Sequence, residues 1–319
     1  MPEPQSFRID GIVPIIPTPF TREQEIAWDE LPGLIEFANV AGASAVCLPA
    51  FASEFYKLSE TERMQLVREA VKHSAGRIPV IAQVNYPSAI AAAEMACRGQ
   101  DLGATAIAVT VPRLFALGEK DLFRYFERIL QAIRLPLVIQ DFNPGGPTVS
   151  PGFVKTLHQA YPHFRYIKLE EPMMAAKTKR IIEESDGEVG VLEGWGGMYI
   201  LELIDAGISG VMPGLGLTDL LARVYRLASD GKKEEAYGIF TGVLPQIVFS
   251  LQNLELFHRA EKLLLQARGL LTETHVREAS LEIDPGDTEH IRFLNRRILS
   301  LLDSLGMPAN PVSHIGRAK

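Results

Sequence analysis

The sequence predicts an α/β fold, a (β/α)8 TIM barrel with a C-terminal helical extension, on three observations. Eight short apolar runs rich in valine and isoleucine recur along the chain. Amphipathic stretches of roughly 12 to 18 residues lie between them. The phosphate fingerprint of the competing doubly wound open sheet is missing: no GxGxxG follows the first run, there is no Walker loop, and Gly214-Leu215-Gly216 lacks a third glycine. Alternation argues for a parallel sheet, and eight units argue for closure.

The strands are expected at 12–17, 45–49, 79–83, 106–110, 137–141, 166–170, 190–193 and 210–213. Helices are expected between and after them at 28–40, 60–73, 89–102, 119–133, 151–160, 175–184, 198–206 and 218–228. Ser59 before Glu62 reads as a capping box opening the second helix, and Ser150 before Pro151 as an N-cap with proline at the first helical position. Gly42, Gly76, Gly103 and Gly207 fall where helices end and turns begin. From Lys232 to Ser304 the pattern stays mainly helical, with apolar positions at Phe240, Leu244, Val248, Leu251, Leu254, Leu256, Leu263 and Leu264. A loop at 282–287 is expected to precede a last helix near 288–305. The expected division is therefore a barrel over 1–228 and a helical extension packed on it over 229–319.

Composition narrows the function. The 319 residues are 47% hydrophobic and 22% charged, with a formal net charge of -7, which leaves no basic footprint for nucleic acid. Cys47 and Cys97 are the only cysteines, too few for a disulfide framework and without zinc spacing, so no metal is expected. The first ten residues lack the apolar core of a signal peptide, and no window approaches the roughly 18 apolar residues of a membrane span. A cytoplasmic location with no membrane partner is the expectation.

The chemistry should lie at the C-terminal ends of the strands. There Lys168 interrupts the run Arg165-Tyr166-Ile167-Lys168-Leu169-Glu170-Glu171, and strand alternation puts Lys168 and Glu170 on one face, about 6.5–7 Å apart along the strand. Burial disfavours a lysine's ammonium form and frees its lone pair to attack a carbonyl, which points to a Schiff base; a buried structural ion pair is the competing reading. The lysines at 72, 120, 155, 177, 179 and 262 are all expected in solvated helical settings. Other strand ends offer candidates for substrate binding: Pro17, Asn85, Thr110, Asp141, Gly194, Trp195 and Pro213. The glycines flanking Trp195 let backbone approach a ligand.

The segments Gly11-Ile12-Val13-Pro14-Ile15-Ile16-Pro17-Thr18-Pro19-Phe20 and Gly210-Val211-Met212-Pro213-Gly214, with the Lys168 strand, resemble the dihydrodipicolinate synthase and N-acetylneuraminate lyase family of class I aldolases and dehydratases. The resemblance spans almost the whole chain, helical tail included. It implies a barrel, usually tetrameric, that binds the ketone of a 2-oxo acid as an imine on Lys168 and needs no other cofactor. A homotetramer or homodimer is therefore expected.

The departures bear on function. Where synthases and lyases carry Gly-Thr-Thr-Gly-Glu, this chain has Ala50-Phe51-Ala52-Ser53-Glu54, so Ala52 and Ser53 take the carboxylate-binding position and Ser53 alone offers a hydroxyl. Gln140 replaces the proton-shuttling tyrosine and cannot titrate, and Gly145-Gly146 replaces the synthases' arginine. Members acting on 2-oxo-3-deoxy sugar acids look similar in their Gln-Asp, Lys-x-Glu and glycine-rich seventh-strand segments. That resemblance implies a dehydratase or aldolase in which Lys168 is the nucleophile, Glu170 moves protons and Gln140 orients. The alternatives are a dihydrodipicolinate synthase condensing pyruvate with aspartate semialdehyde, and a catalytically silent barrel that binds 2-oxo or sugar acids.

Overall fold

The computed structural model describes residues 7–114, 116–143 and 148–313. The Pro144-Gly145-Gly146 segment, where the synthases' arginine would fall, lies outside the described residues, as do Phe115 and the first six residues.

The eight strands are β1 (Gly11–Ile12), β2 (Val46–Leu48), β3 (Val80–Gln83), β4 (Ala106–Thr110), β5 (Leu137–Phe142), β6 (Phe164–Glu170), β7 (Gly190–Glu193) and β8 (Gly210–Val211). Every ladder between neighbours is parallel, in the order β1-β8-β7-β6-β5-β4-β3-β2. The ring closes where Ile15 bridges Cys47: the Cys47 N–H donates to the Pro14 carbonyl at 3.1 Å and the Ile16 N–H to the Cys47 carbonyl at 3.0 Å. The first and last strands are shorter than expected because Pro14, Pro17 and Pro213 have no N–H to give a ladder, so pairing beyond Ile12 continues as isolated bridges.

Helices α1 (Leu31–Val40), α2 (Glu60–Ser74), α3 (Ala89–Asp101), α4 (Glu119–Ala132), α5 (Pro151–Ala160), α6 (Ala175–Glu184), α7 (Ile200–Ile204) and α8 (Thr218–Ser229) wrap the ring. The Ser59–Glu62 capping box and the Ser150–Pro151 start both form, and Gly42, Gly76, Gly103 and Gly207 all have positive φ. Strand alternation sorts the core. Ile15, Cys47, Ile81, Ala108, Val138, Tyr166, Leu192 and Met212 fill the barrel interior, whereas Ile139, Ile167, Leu169 and Val191 face the helices.

Three more helices follow: α9 (Lys233–Ser250), α10 (Leu254–Ala267) and α11 (Pro285–Ser304). The expected loop at 282–287 is displaced. The interruption runs from Arg268 to Asp284, and Pro285 opens the helix at its first position under an Asp284 cap, whose carboxylate accepts from Gly286 N at 2.6 Å. Charges on α10 and at its C-cap fasten it to the barrel. Arg268 donates to Asp219 at 2.6 and 3.0 Å and to the Gly216 carbonyl at 2.6 Å, and Lys262 pairs with Glu54 at 2.6 Å. Lys262 is thus buried, not solvated as its helical context suggested: its apolar flanks hid that the helix faces a carboxylate at position 54. Lys177 is also partly covered, bonded to Thr148 and Glu171. Among the described residues no helix is long and apolar enough to cross a membrane.

Candidate active site

The sixth strand carries Lys168 and Glu170 inward, and their side chains meet at 2.8 Å (Nζ to Oε1) with about 7% of each exposed. Gln140, on the adjacent strand and in register with Lys168, donates through its amide to both Glu170 oxygens at 3.1 and 3.2 Å. The Gln140 carbonyl in turn accepts from Gln83 at 2.5 Å and from the Thr110 hydroxyl at 3.1 Å. These two donors fix which end of the Gln140 amide points at Glu170, so Glu170 is held as an acceptor between an amine and an amide. Cys47 closes the row below, 3.5 Å from Gln83, with burial pushing its thiol up to about 12.

Lys168, Glu170 and Gln140 open into a cavity of about 130 Å³ at the mouth of the barrel. Of the residues expected to bind substrate, Ala52, Gly194, Trp195 and Pro213 line it. The remainder of the wall is apolar: Phe51 and Phe142, whose ring centroids lie 5.6 Å apart, with Leu251, Leu254 and Phe257 from the C-terminal helices and the segment joining them. Among the described lining residues Lys168 is the only cation, and there is no tyrosine or arginine.

Five expected binding residues are elsewhere. Asp141 follows Gln140 in the strand, so its side chain points to the helices, fully buried, paired with Arg113 and accepting from Val149 N at 2.6 Å. Ser53 spends its hydroxyl on the chain itself, donating to the Ile16 carbonyl at 2.6 Å and accepting from Ala50 N at 3.0 Å. Pro17 is buried and does not line the cavity. Asn85 ties two strand ends together, accepting from Thr110 N at 3.0 Å and Gln83 at 3.3 Å, and Thr110 reaches the site only through Gln140.

Two residues at the polar strand ends, outside the expected binding set, support the site. Gln83 follows the inward alternation of β3 and shares a strand end with Asn85. Glu193 faces outward at the end of β7 and accepts from Gly197 N at 2.7 Å and Tyr199 N at 3.5 Å, bracing the Trp195 loop; burial pushes its carboxyl up to about 7, against those bonds and Lys168. Gly194 lies so close to Glu170 that a Cβ there would sit 2.3 Å from Glu170 Cγ. Gly194→Ala is accordingly expected to push the carboxylate out of line and lower kcat by roughly 10²-fold, the scale of an ångström's misplacement, with an unchanged circular dichroism spectrum.

A lysine beside a carboxylate, in a small pocket at the C-terminal ends of barrel strands, marks a barrel enzyme. The chain belongs to the dihydrodipicolinate synthetase family, whose sequence profile matches residues 8–300, and the protein is a lyase. It is 27% identical over 292 residues to the L-2-keto-3-deoxyarabonate dehydratase of Azospirillum brasilense, covering 90% of this chain and 94% of that one. It is 26% identical over 249 residues to the 4-hydroxy-tetrahydrodipicolinate synthase of Methanopyrus kandleri, covering 75% and 80%. Its fold superposes on the 4-hydroxy-tetrahydrodipicolinate synthase of Methylacidiphilum fumariolicum SolV with a TM-score of 0.86 at 21% identity, covering 94% and 99%.

Proposed function

We propose that the protein dehydrates a 2-oxo-3-deoxy sugar acid through an imine on Lys168. The observation that carries this is the Lys168–Glu170 pair: a nucleophilic amine and a carboxylate 2.8 Å apart in a cavity whose remaining wall is mostly apolar. Lys168 attacks C2 and the carbonyl oxygen leaves as water, giving an iminium that draws electrons from C3. Glu170, beside the nitrogen, takes the C3 proton to give an enamine. The enamine expels the C4 hydroxyl, and the proton now on Glu170 goes to that oxygen, so one water is lost across C3–C4. A second water then hydrolyses the iminium and frees the unsaturated 2-oxo acid and the amine. Gln140 holds Glu170 in place throughout but exchanges no proton. No metal or organic cofactor enters these steps.

Dehydration is preferred over carbon–carbon cleavage because the L-2-keto-3-deoxyarabonate dehydratase resembles the chain along nearly its full length. The synthase reading has less behind it, since Gln140 stands where a titrating tyrosine would be needed. A cytoplasmic homotetramer or homodimer belongs to the same proposal, and gel filtration of the native protein checks the assembly. The decisive experiment is borohydride trapping with a 2-oxo acid and peptide mapping: an adduct on Lys168 is expected, and its absence at saturating substrate defeats the imine. Glu170→Gln should still trap the ketone but lose kcat by about 10²- to 10⁴-fold. Full turnover in that variant would remove Glu170 from proton transfer.

A further inference from the structure

Behind the reaction cavity lies a second, smaller chamber of about 20 Å³, room for a single oxygen atom. The two share Gly196, Pro213, Gly214, Leu251 and Phe257 as walls. Its far side is polar. Gln246 on α9 is 4% exposed, yet its side-chain carbonyl oxygen is buried without a hydrogen-bond donor. Ser250 gives its hydroxyl proton to the Ile247 carbonyl at 3.1 Å, which leaves its oxygen as an acceptor. Glu261 on α10 also lines the chamber, its carboxyl accepting from Gly216 N at 2.6 Å and from the Leu215 backbone, with burial pushing it up to about 7. A buried acceptor with no donor is costly, and one O–H group placed in this chamber would donate to the Gln246 oxygen.

We infer that Gln246, with Ser250 and Glu261 around it, forms a subsite for the terminal hydroxyl of the substrate chain, reached past the Leu251–Phe257 partition. The inference rests on the lyase reading above and adds which end group the enzyme selects. A chain growing out from C2 at Lys168 meets Phe142, Trp195, Leu251 and Phe257, which offer a polyol only the indole N–H of Trp195. The next polar groups are those of the chamber. A terminal CH₂OH donates to Gln246, whereas a terminal methyl leaves that oxygen unpaired.

The test compares a 2-oxo-3-deoxy hexonate with its 6-deoxy analogue, in wild type and in Gln246→Met, which keeps the volume and removes the acceptor. Wild type is expected to favour the hydroxylated substrate at least tenfold in kcat/KM, expressed mainly in KM. Gln246→Met should bring that ratio to within about twofold while trapping pyruvate, which has no distal chain, as wild type does. Gln246→Leu replaces it if the methionine variant does not fold. A wild-type ratio near one, or a ratio that survives the substitution, overturns the subsite; it would mean that the chamber holds only water. Failure of wild type to trap pyruvate instead defeats the imine reading and takes the subsite with it.

Discussion

Lys168→Ala is expected to lower kcat by at least about 10⁴-fold and to abolish the borohydride adduct while leaving the barrel folded. The size follows from the amine's position: it is the only amine lining the cavity among the described residues, and without it the substrate ketone has no electron sink at C2. Glu170 stays hydrogen-bonded to Gln140 in the variant, so the loss should be chemical and not structural. Lys168→Arg separates charge from nucleophilicity, because guanidinium preserves the pairing with Glu170 but cannot form the imine. It should be as inactive as the alanine variant. Steady-state kinetics and circular dichroism on the two variants decide the point, and substantial turnover in either one rules out covalent catalysis here.

Glu54→Ala should produce the largest loss of stability, about 3–5 kcal/mol, measured by urea unfolding near neutral pH. Glu54 ends the turn after β2 in a left-handed conformation (φ 60°) and is 1% exposed. It takes Lys262 at 2.6 Å, Lys57 at 3.1 Å and the Arg277 N–H at 3.1 Å. Burial works to raise its carboxyl, but Lys262, His258 and Lys57 together hold it below the ordinary carboxylate range. Removing it leaves Lys262, whose amine burial already lowers to about 8 against the pull of Glu54, with no carboxylate partner. The pH dependence of the deficit follows in sign. Losing Glu54 lowers the folded-state pKa of Lys262 further, while the unfolded value stays near 10.5. The unfolded variant then binds more protons than the folded one, so stability rises with pH, and the deficit against wild type should narrow between pH 7 and 9. A deficit that is flat across that range would show that Lys262 is not the group left stranded.

The barrel was legible because its signals are local. The runs at 106–110 and 190–193 and the helices at 151–160 and 175–184 have the same limits in sequence and structure. The Lys168–Glu170 pair was legible for the same reason, from period-two alternation inside one strand. That rule, applied to the next strand, separates Gln140 from Asp141: adjacent residues cannot both face the cavity, and Asp141 instead meets Arg113 behind the sheet. Ser53 misled because its type fits carboxylate binding, while its surroundings, the Ile16 carbonyl and Ala50 N–H, depend on chain segments meeting in space. Leu254, Phe257 and Lys262 were hidden by distance. Their pattern is that of any amphipathic helix, and only the docking of α10 over the mouth turns two apolar positions into cavity wall and a lysine into the counter-ion of a residue 208 positions away.

The fastening of α10 bears on any attempt to redirect this enzyme. Phe51 and Ala52 on one rim and Leu254 and Phe257 on the other reach the cavity from segments that the Glu54–Lys262 pair joins. A swap of the turn after β2 from a homologue with different tastes will succeed only if α10 travels with it as a cassette. Transplanted alone, the turn loses the lysine its glutamate was matched to, and the graft is then judged on a collapsed rim rather than on its own selectivity.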